Sequence, residues 1–147
     1  MIRRATIEDI NSLAALFDNY RVFYRKQTDL DAAEAFLKER LLNSDSIIFV
    51  AQQENTLAGF TQLYPLFSST RMKRIWLLND LYVLPEFRGN GISHQLINAA
   101  KDLAIQSGAA GLLLETEKTN NIGNRLYPSA GFTLYNETNF YWWENKD

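Results

Sequence analysis

The chain contains no cysteine and a single histidine, His94. Disulfides, thiolate metal sites and a cysteine nucleophile are therefore excluded. Neither a histidine-based metal centre nor a Ser-His-Asp triad is expected, and no metal is assigned. Charge of neither sign dominates, because 15 Lys and Arg stand against 17 Asp and Glu for a formal net charge of -2. The field that would draw nucleic acid or an anionic membrane is missing, so neither is an expected partner. No apolar run approaches the ~20 residues of a membrane span. The start, Met1-Ile2-Arg3-Arg4-Ala5-Thr6, does not open onto the apolar core of a signal peptide. A cytoplasmic protein is expected. No Gly-Lys pair occurs, which excludes the P-loop pattern, and His94 stands where a dinucleotide fingerprint would need its third glycine.

What the chain does have is readable periodicity. Its 147 residues are 46% hydrophobic, enough for one domain, 1–147, burying roughly two thirds of its unfolded surface. Residues 2–5 read as a short strand. Ile10, Leu13, Leu16, Phe17 and Tyr20 repeat at helical spacing behind a capping Thr6. A second helix is expected over 32–42, then a hairpin of strands 47–51 and 57–63. A loop around 67–71 leads to a strand at 75–83. Further strands are expected at 112–116, 132–135 and 140–143. The order β-α-α-β-β-β-α-β-α-β-β predicts an α/β fold with a mixed, mostly antiparallel central sheet flanked by helices.

The most informative stretch is Leu81-Tyr82-Val83-Leu84-Pro85-Glu86-Phe87-Arg88-Gly89-Asn90-Gly91-Ile92-Ser93. An apolar strand ends at a proline, a turn with two glycines follows, and an amphipathic helix over 93–107 begins. Such an opening leaves backbone N–H groups without helical partners, and the helix dipole favours negative charge there. The glycines remove side chains from between ligand and backbone, and Arg88 adds a forked donor. The segment is either a phosphate cradle or a turn that needs glycine for its own geometry.

Arg88-Gly89-Asn90-Gly91-Ile92-Ser93 resembles the acyl-CoA loop of the GCN5-related N-acetyltransferases, [QR]-x-x-G-x-[GA], with Ser93 at the last position. Asn120 to Phe132 resembles the family's second hallmark, N-x-x-A-x-x-L-Y-x-x-x-G-F. Asn120, Leu126, Tyr127, Gly131 and Phe132 fall in register, and Gly123 replaces the alanine. The resemblance covers essentially the whole chain. It implies acetyl transfer from acetyl-CoA to an amine, on a fold of the same element order whose central strands splay into a cleft.

The resemblance assigns cofactor contacts to Arg88, Gly89, Asn90, Gly91, Ile92 and Ser93 for the phosphates, and to Asn120, with Asn124 a second candidate. Backbone groups of Leu81, Tyr82 and Val83 are suited to extending the sheet onto the pantetheine arm. Tyr127 is the expected proton donor to the leaving sulfur; the alternative is a core tyrosine tied to backbone. Asp80 is a charge in an apolar strand and needs a partner or a purpose. It is the expected base, although the polyamine acetyltransferases carry two adjacent acids where this chain has Asn79 and Asp80. A salt bridge under a helix is the other reading.

Tyr24, Asp29, Tyr64 and Glu115 are the expected substrate contacts, suited to a small cationic amine. The aromatic run 140–143 either packs a homodimer interface or covers the sheet. The function expected is acetylation of a small molecule's primary amine by direct attack in a ternary complex. A non-catalytic CoA-binding module and a protein N-acetyltransferase are the alternatives.

Overall fold

A computed structural model describes all 147 residues, Met1–Asp147. They form two compact units, Met1–Glu115 and Thr116–Asp147.

The first unit is built on a five-stranded sheet of order β1-β2-β3-β4-β5. Its strands are β1 (Ile2–Arg4), β2 (Ile47–Gln53), β3 (Thr56–Ser68), β4 (Lys73–Val83) and β5 (Leu112–Leu113). The first four pair antiparallel and β5 joins β4 in parallel. The expected α/β class, with a mostly antiparallel sheet flanked by helices, is what forms. Helices α1 (Ile10–Phe23) and α2 (Leu30–Asn43) bury Leu13, Leu16, Phe17, Ala33 and Leu37 with Ile48, Val50, Phe60 and Tyr82 of the sheet. Helix α3 (Ile92–Gln106) packs Ile92 and Leu96 with Ala51, Ala58 and Val83. No helix is long and apolar enough to cross a membrane.

The pairing of β3 with β4 slips by one residue. Gln62 opposes Asp80 and Leu63 opposes Leu78, so Asn79 is left over as a bulge. Cross-strand partners share a face while neighbours along a strand do not. Leu78 therefore shares the face of Leu63, and Asp80 that of Gln62, on the opposite side. Both Leu78 and Asp80 are buried. An unbroken period of two would have placed them on one face.

The hairpin is longer than expected. Strand β3 runs past the expected end at Leu63 to Ser68, taking in Phe67 of the expected loop. Pro65 is tolerated because β2 pairs with β3 only as far as Leu63, so no ladder bond on that side is lost. At the other end, β5 meets β4 only at Trp76↔Leu112 and Leu77↔Leu113. From Leu78 to Val83 that edge of β4 has no strand beside it, and the expected strand 112–116 is cut to two residues.

In the second unit the one helix is α4 (Asn121–Ser129). The expected strands at 132–135 and 140–143 do not form. Alternation and aromatics mark what a strand can be, but a strand exists only where its backbone groups find a ladder. Phe140, Tyr141, Trp142 and Trp143 are 72%, 92%, 85% and 81% exposed.

Candidate active site

Two features of the first unit meet at the end of β4. The first is the loop into α3. Pro85 fixes the start of a short 3-10 turn, Pro85–Phe87, and Leu84 before it is extended, as a residue preceding proline must be. Gly89 (φ 80°) and Gly91 (φ 77°) are both left-handed, a conformation that side chains resist. Gly91 is also the N-cap of α3 and has no side chain to cap it. The first backbone N–H of this helix to find a carbonyl is that of Gln95, which donates to Gly91. The N–H groups from Gly89 to Ser93 thus precede the first intrahelical bond, at the positive end of a helix, where an anion is favoured.

Side chains stiffen this loop from below. Arg88 Nε donates to the Val83 carbonyl at 2.9 Å, and its guanidinium lies 5.5 Å from both the Phe23 and Tyr82 ring centroids. One donor of the guanidinium is thereby committed to Val83, and the fork carries further donors. Asn90 Nδ2 donates to the Phe87 carbonyl at 3.1 Å. Its side chain therefore shapes the turn, leaving its N–H as the group expected to meet a phosphate.

The second feature is Asp80, turned by the bulge toward the α1–α2 layer. It is 4% exposed. Gln62 Nε2 donates to Oδ2 at 2.9 Å, Asn79 Nδ2 donates to Oδ1 at 3.1 Å, and the Tyr20 hydroxyl completes the set. Gln62 Oε1 accepts from Ser46 Oγ at 2.9 Å. Burial pushes the Asp80 carboxyl above the ordinary range, against the pull of the bonds from Gln62, Tyr20 and Asn79. Burial raises the Tyr64 phenol as well, with help from the Asp80 charge, so Tyr64 stays neutral.

Aromatic rings wall this carboxylate. Tyr20 meets Tyr24, Phe60 and Tyr82 edge-on at 5.0, 5.7 and 6.1 Å between centroids. Phe23 lies 6.1 Å from Tyr82. The structure therefore gathers Asp80, Tyr64, Tyr24 and Tyr82 of the expected residues. It adds Tyr20, Gln62 and Ser46, which complete the buried network. Gln62 had a legible signal, a polar residue within the apolar run 57–63, but its partner depends on the bulge.

Other expected contacts are occupied elsewhere. Asp29 caps α2, its Oδ1 accepting from the Ala32 N–H at 3.1 Å. Glu115 is exposed beyond the end of β5. In the second unit Asn120 caps α4. Its Oδ1 accepts from the Gly123 N–H at 3.1 Å and its Nδ2 donates to Thr116 Oγ1 at 3.0 Å. A β-carbon on Gly123 would stand 2.6 Å from that Nδ2, so the glycine in place of alanine matches the inward cap. Asn124 Nδ2 donates to the carbonyls of Asn120 and Glu117 at 2.8 and 2.9 Å, fixing the turn before α4. Tyr127 packs edge-on to Phe132 at 5.8 Å, and the Phe132 N–H donates to the Tyr127 carbonyl at 3.0 Å. No group of three His, Asp or Glu residues is placed to hold a metal ion.

A glycine-bearing loop opening α3 beside an unpaired strand edge narrows the choice of family, and the sequence comparison decides it. The model of the family described as Acetyltransferase (GNAT) family matches residues 11–132. The chain belongs to that family. It is 50% identical over 131 residues to YhfO of Bacillus subtilis, an uncharacterized N-acetyltransferase, covering 89% of this chain and 88% of that one. It is 28% identical over 131 residues to the aminoalkylphosphonate N-acetyltransferase of Salmonella typhimurium, covering 89% and 83%. A crystal structure of a probable acetyltransferase superposes with a TM-score of 0.94 at 36% identity, covering 100% of this chain and 99% of the other. This GNAT protein is accordingly an N-acetyltransferase, and members of the family use acetyl-CoA as co-substrate.

Proposed function

We propose that this acetyltransferase transfers the acetyl group of acetyl-CoA to the primary amine of a small cationic molecule, by direct attack in a ternary complex. The observation that carries the proposal is the Asp80 carboxylate, buried behind Tyr20, Tyr24, Tyr64 and Tyr82 at the strand that ends in the glycine loop. A buried carboxylate behind aromatic rings favours a cation over a neutral or anionic ligand.

The chain's groups fit the co-substrate. The N–H groups of Gly89 to Ser93 and the Arg88 fork would hold its phosphates. The open edge of β4 from Leu78 to Val83 offers strand-type hydrogen bonds to an extended amide-bearing arm. Acetyl-CoA supplies an activated acetyl thioester. Asp80 draws the proton from the ammonium, and its raised pKa makes it a stronger base than an ordinary carboxylate. Because Asp80 is nearly sealed, that proton travels through the Tyr20 hydroxyl or a water. Tyr127 Oη gives a proton to the departing sulfur. Asn120 and Asn124 act by holding the start of α4 rather than as first contacts. A relative named for aminoalkylphosphonates supports a small acceptor amine.

The test is a thiol-release assay with acetyl-CoA and a panel of acceptors: aminoalkylphosphonates, aminoglycosides, polyamines and peptide N-termini. The protein has no cysteine, so any thiol that appears comes from the co-substrate. Turnover with a small amine supports the reading. Turnover with peptides alone makes it a protein N-acetyltransferase, and binding without turnover on any acceptor makes it a CoA-binding module.

A further inference from the structure

A chain of polar side chains crosses an apolar layer on one face of the sheet. Ile48 opposes Gln62 across β2 and β3, and Gln62 opposes Asp80 across β3 and β4. Cross-strand partners share a face, and Ser46, immediately before β2, reaches Gln62 there. Around them Leu13, Leu37, Ile48 and Phe60 belong to the core under α1 and α2. Ser46, Gln62 and Asp80 are 6%, 0% and 4% exposed. Three polar side chains in such a place destabilise the fold unless paired, and apolar residues of similar volume would serve the core as well. Their pairing has a direction. A glutamine amide presents a carbonyl at one end and two N–H donors at the other. Ser46 Oγ donates to Gln62 Oε1 at 2.9 Å, which leaves Nε2 to donate to Asp80 Oδ2, also at 2.9 Å. Turned over, the amide would set its carbonyl against the carboxylate, two acceptors with no proton between them.

We propose that Ser46 and Gln62 are positioning residues for the acetylation base: Ser46 decides which end of the Gln62 amide meets Asp80, and Gln62 thereby holds the carboxylate ready for the proton of the ammonium. The inference rests on the reading of Asp80 as the base. A hydrogen bond donated to a carboxylate favours its charged form, whereas burial favours the neutral one. Burial is the larger influence on Asp80, so loss of a donor leaves the carboxyl protonated to higher pH. The other donors are Tyr20 from α1 and the adjoining Asn79 of β4. On the α2 side the Tyr64 phenol feels the Asp80 charge, and Arg40 and Asp45 act on that phenol. Tyr82 stands edge-on to Tyr20. Gln62 is set apart by being aimed through a second side chain. That side chain, Ser46, also borders a cavity of about 190 Å³ with Arg4, Thr6, Leu41 and Ser44.

The experiment compares Gln62→Met, Ser46→Ala and Ser46→Thr with the parent in two ways. One is carbon-13 titration of the Asp80 carboxyl in the free protein, its signal assigned with Asp80→Asn. The other is the pH profile of kcat/KM with acetyl-CoA and the acceptor that the parent turns over in the panel above; the titration alone decides where none does. Gln62→Met removes the donor and keeps the volume. The carboxyl should then titrate at higher pH. On the acid limb kcat/KM should fall about 10- to 150-fold below the parent's, a loss that narrows as pH rises. Ser46→Ala takes away one oxygen, frees the amide to turn over, and should move both readings the same way by less; it carries the test if the methionine variant does not fold. Ser46→Thr keeps the hydroxyl, with the cavity beside it for the added methyl, and should return both readings toward the parent's. A packing defect alone would lower rates at every pH and leave the titration in place. An Asp80 carboxyl that titrates as in the parent after these substitutions would overturn the inference. A titration that moves while the acid limb stays put supports the positioning of the carboxylate and overturns Asp80 as the base.

Discussion

Arg88 donates from Nε to the carbonyl oxygen of Val83 at 2.9 Å, so the residue that follows the 3-10 turn is buckled back onto the last residue of β4. The same guanidinium lies over Phe23 and Tyr82, which ties the loop to the α1 side of the sheet. A lysine has one nitrogen and cannot hold the Val83 carbonyl while also offering a fork to phosphate. A charge-assisted hydrogen bond contributes about 1.5–3 kcal/mol. Arg88→Ala is expected to weaken acetyl-CoA binding by roughly 10- to 150-fold, with Arg88→Lys recovering only part of it. Calorimetric titration checks this, and unchanged affinity in the alanine variant would remove Arg88 from the site.

Tyr127→Phe deletes one hydroxyl and keeps the ring against Phe132. Turnover is expected to fall by about 10²–10⁴, with acetyl-CoA affinity and thermal stability close to those of the parent. Equal loss of affinity and turnover would instead mark Tyr127 as part of the scaffold.

The raised pKa of Asp80 has a signed consequence. Folding favours the protonated carboxyl, so this group's contribution to stability is fully present below ~3.9 and is lost as pH rises through the folded-state value. Asp80→Asn carries no such charge. Its stability relative to the parent should therefore rise from acid to neutral pH, while turnover falls and the acid limb of kcat/KM disappears. Urea midpoints and rate profiles across pH check both. A stability difference that stays constant with pH would show that Asp80 titrates as in the unfolded chain.

Asp18 works in the opposite direction. It is 7% exposed and accepts from Thr28 Oγ1 and from the Asp29 N–H at 2.8 Å. The Thr28 bond, then the Asp29 bond, hold its pKa below the usual value. Its contribution is present above ~3.9 and is lost as pH falls through the folded value. Asp18→Ala leaves a hydroxyl and an N–H unpaired, for a loss of about 1–3 kcal/mol at neutral pH that shrinks in acid. Thermal melts at neutral and acid pH read it; a loss that grows in acid would contradict the assigned bonds.

The glycine loop and α3 were legible because they depend on neighbours in sequence: a proline, two glycines and a helical stripe. Leu13, Leu37 and Leu96 were legible for the same reason. The Asp80 network was not, because Gln62 and Tyr20 reach it from β3 and α1 through a register that no local pattern encodes. Asn120 and Asn124, expected as cofactor contacts, stand at the head of α4, and whether an amide faces a ligand or its own helix end is decided by local competition. The strands at 132–135 and 140–143 failed as expectations because a strand needs a partner, and alternation records only one side of that bargain.

The extra residue at Asn79 acts as a change of phase. Positions up to Leu78 keep one count of inward and outward, and positions from Asp80 keep the other. Comparisons between relatives should therefore be anchored on Tyr82-Val83 and counted backward only to the bulge. An acid at the same distance from the start of β4 in a chain without the bulge would face α3 and could not be equated with Asp80, however well the letters align.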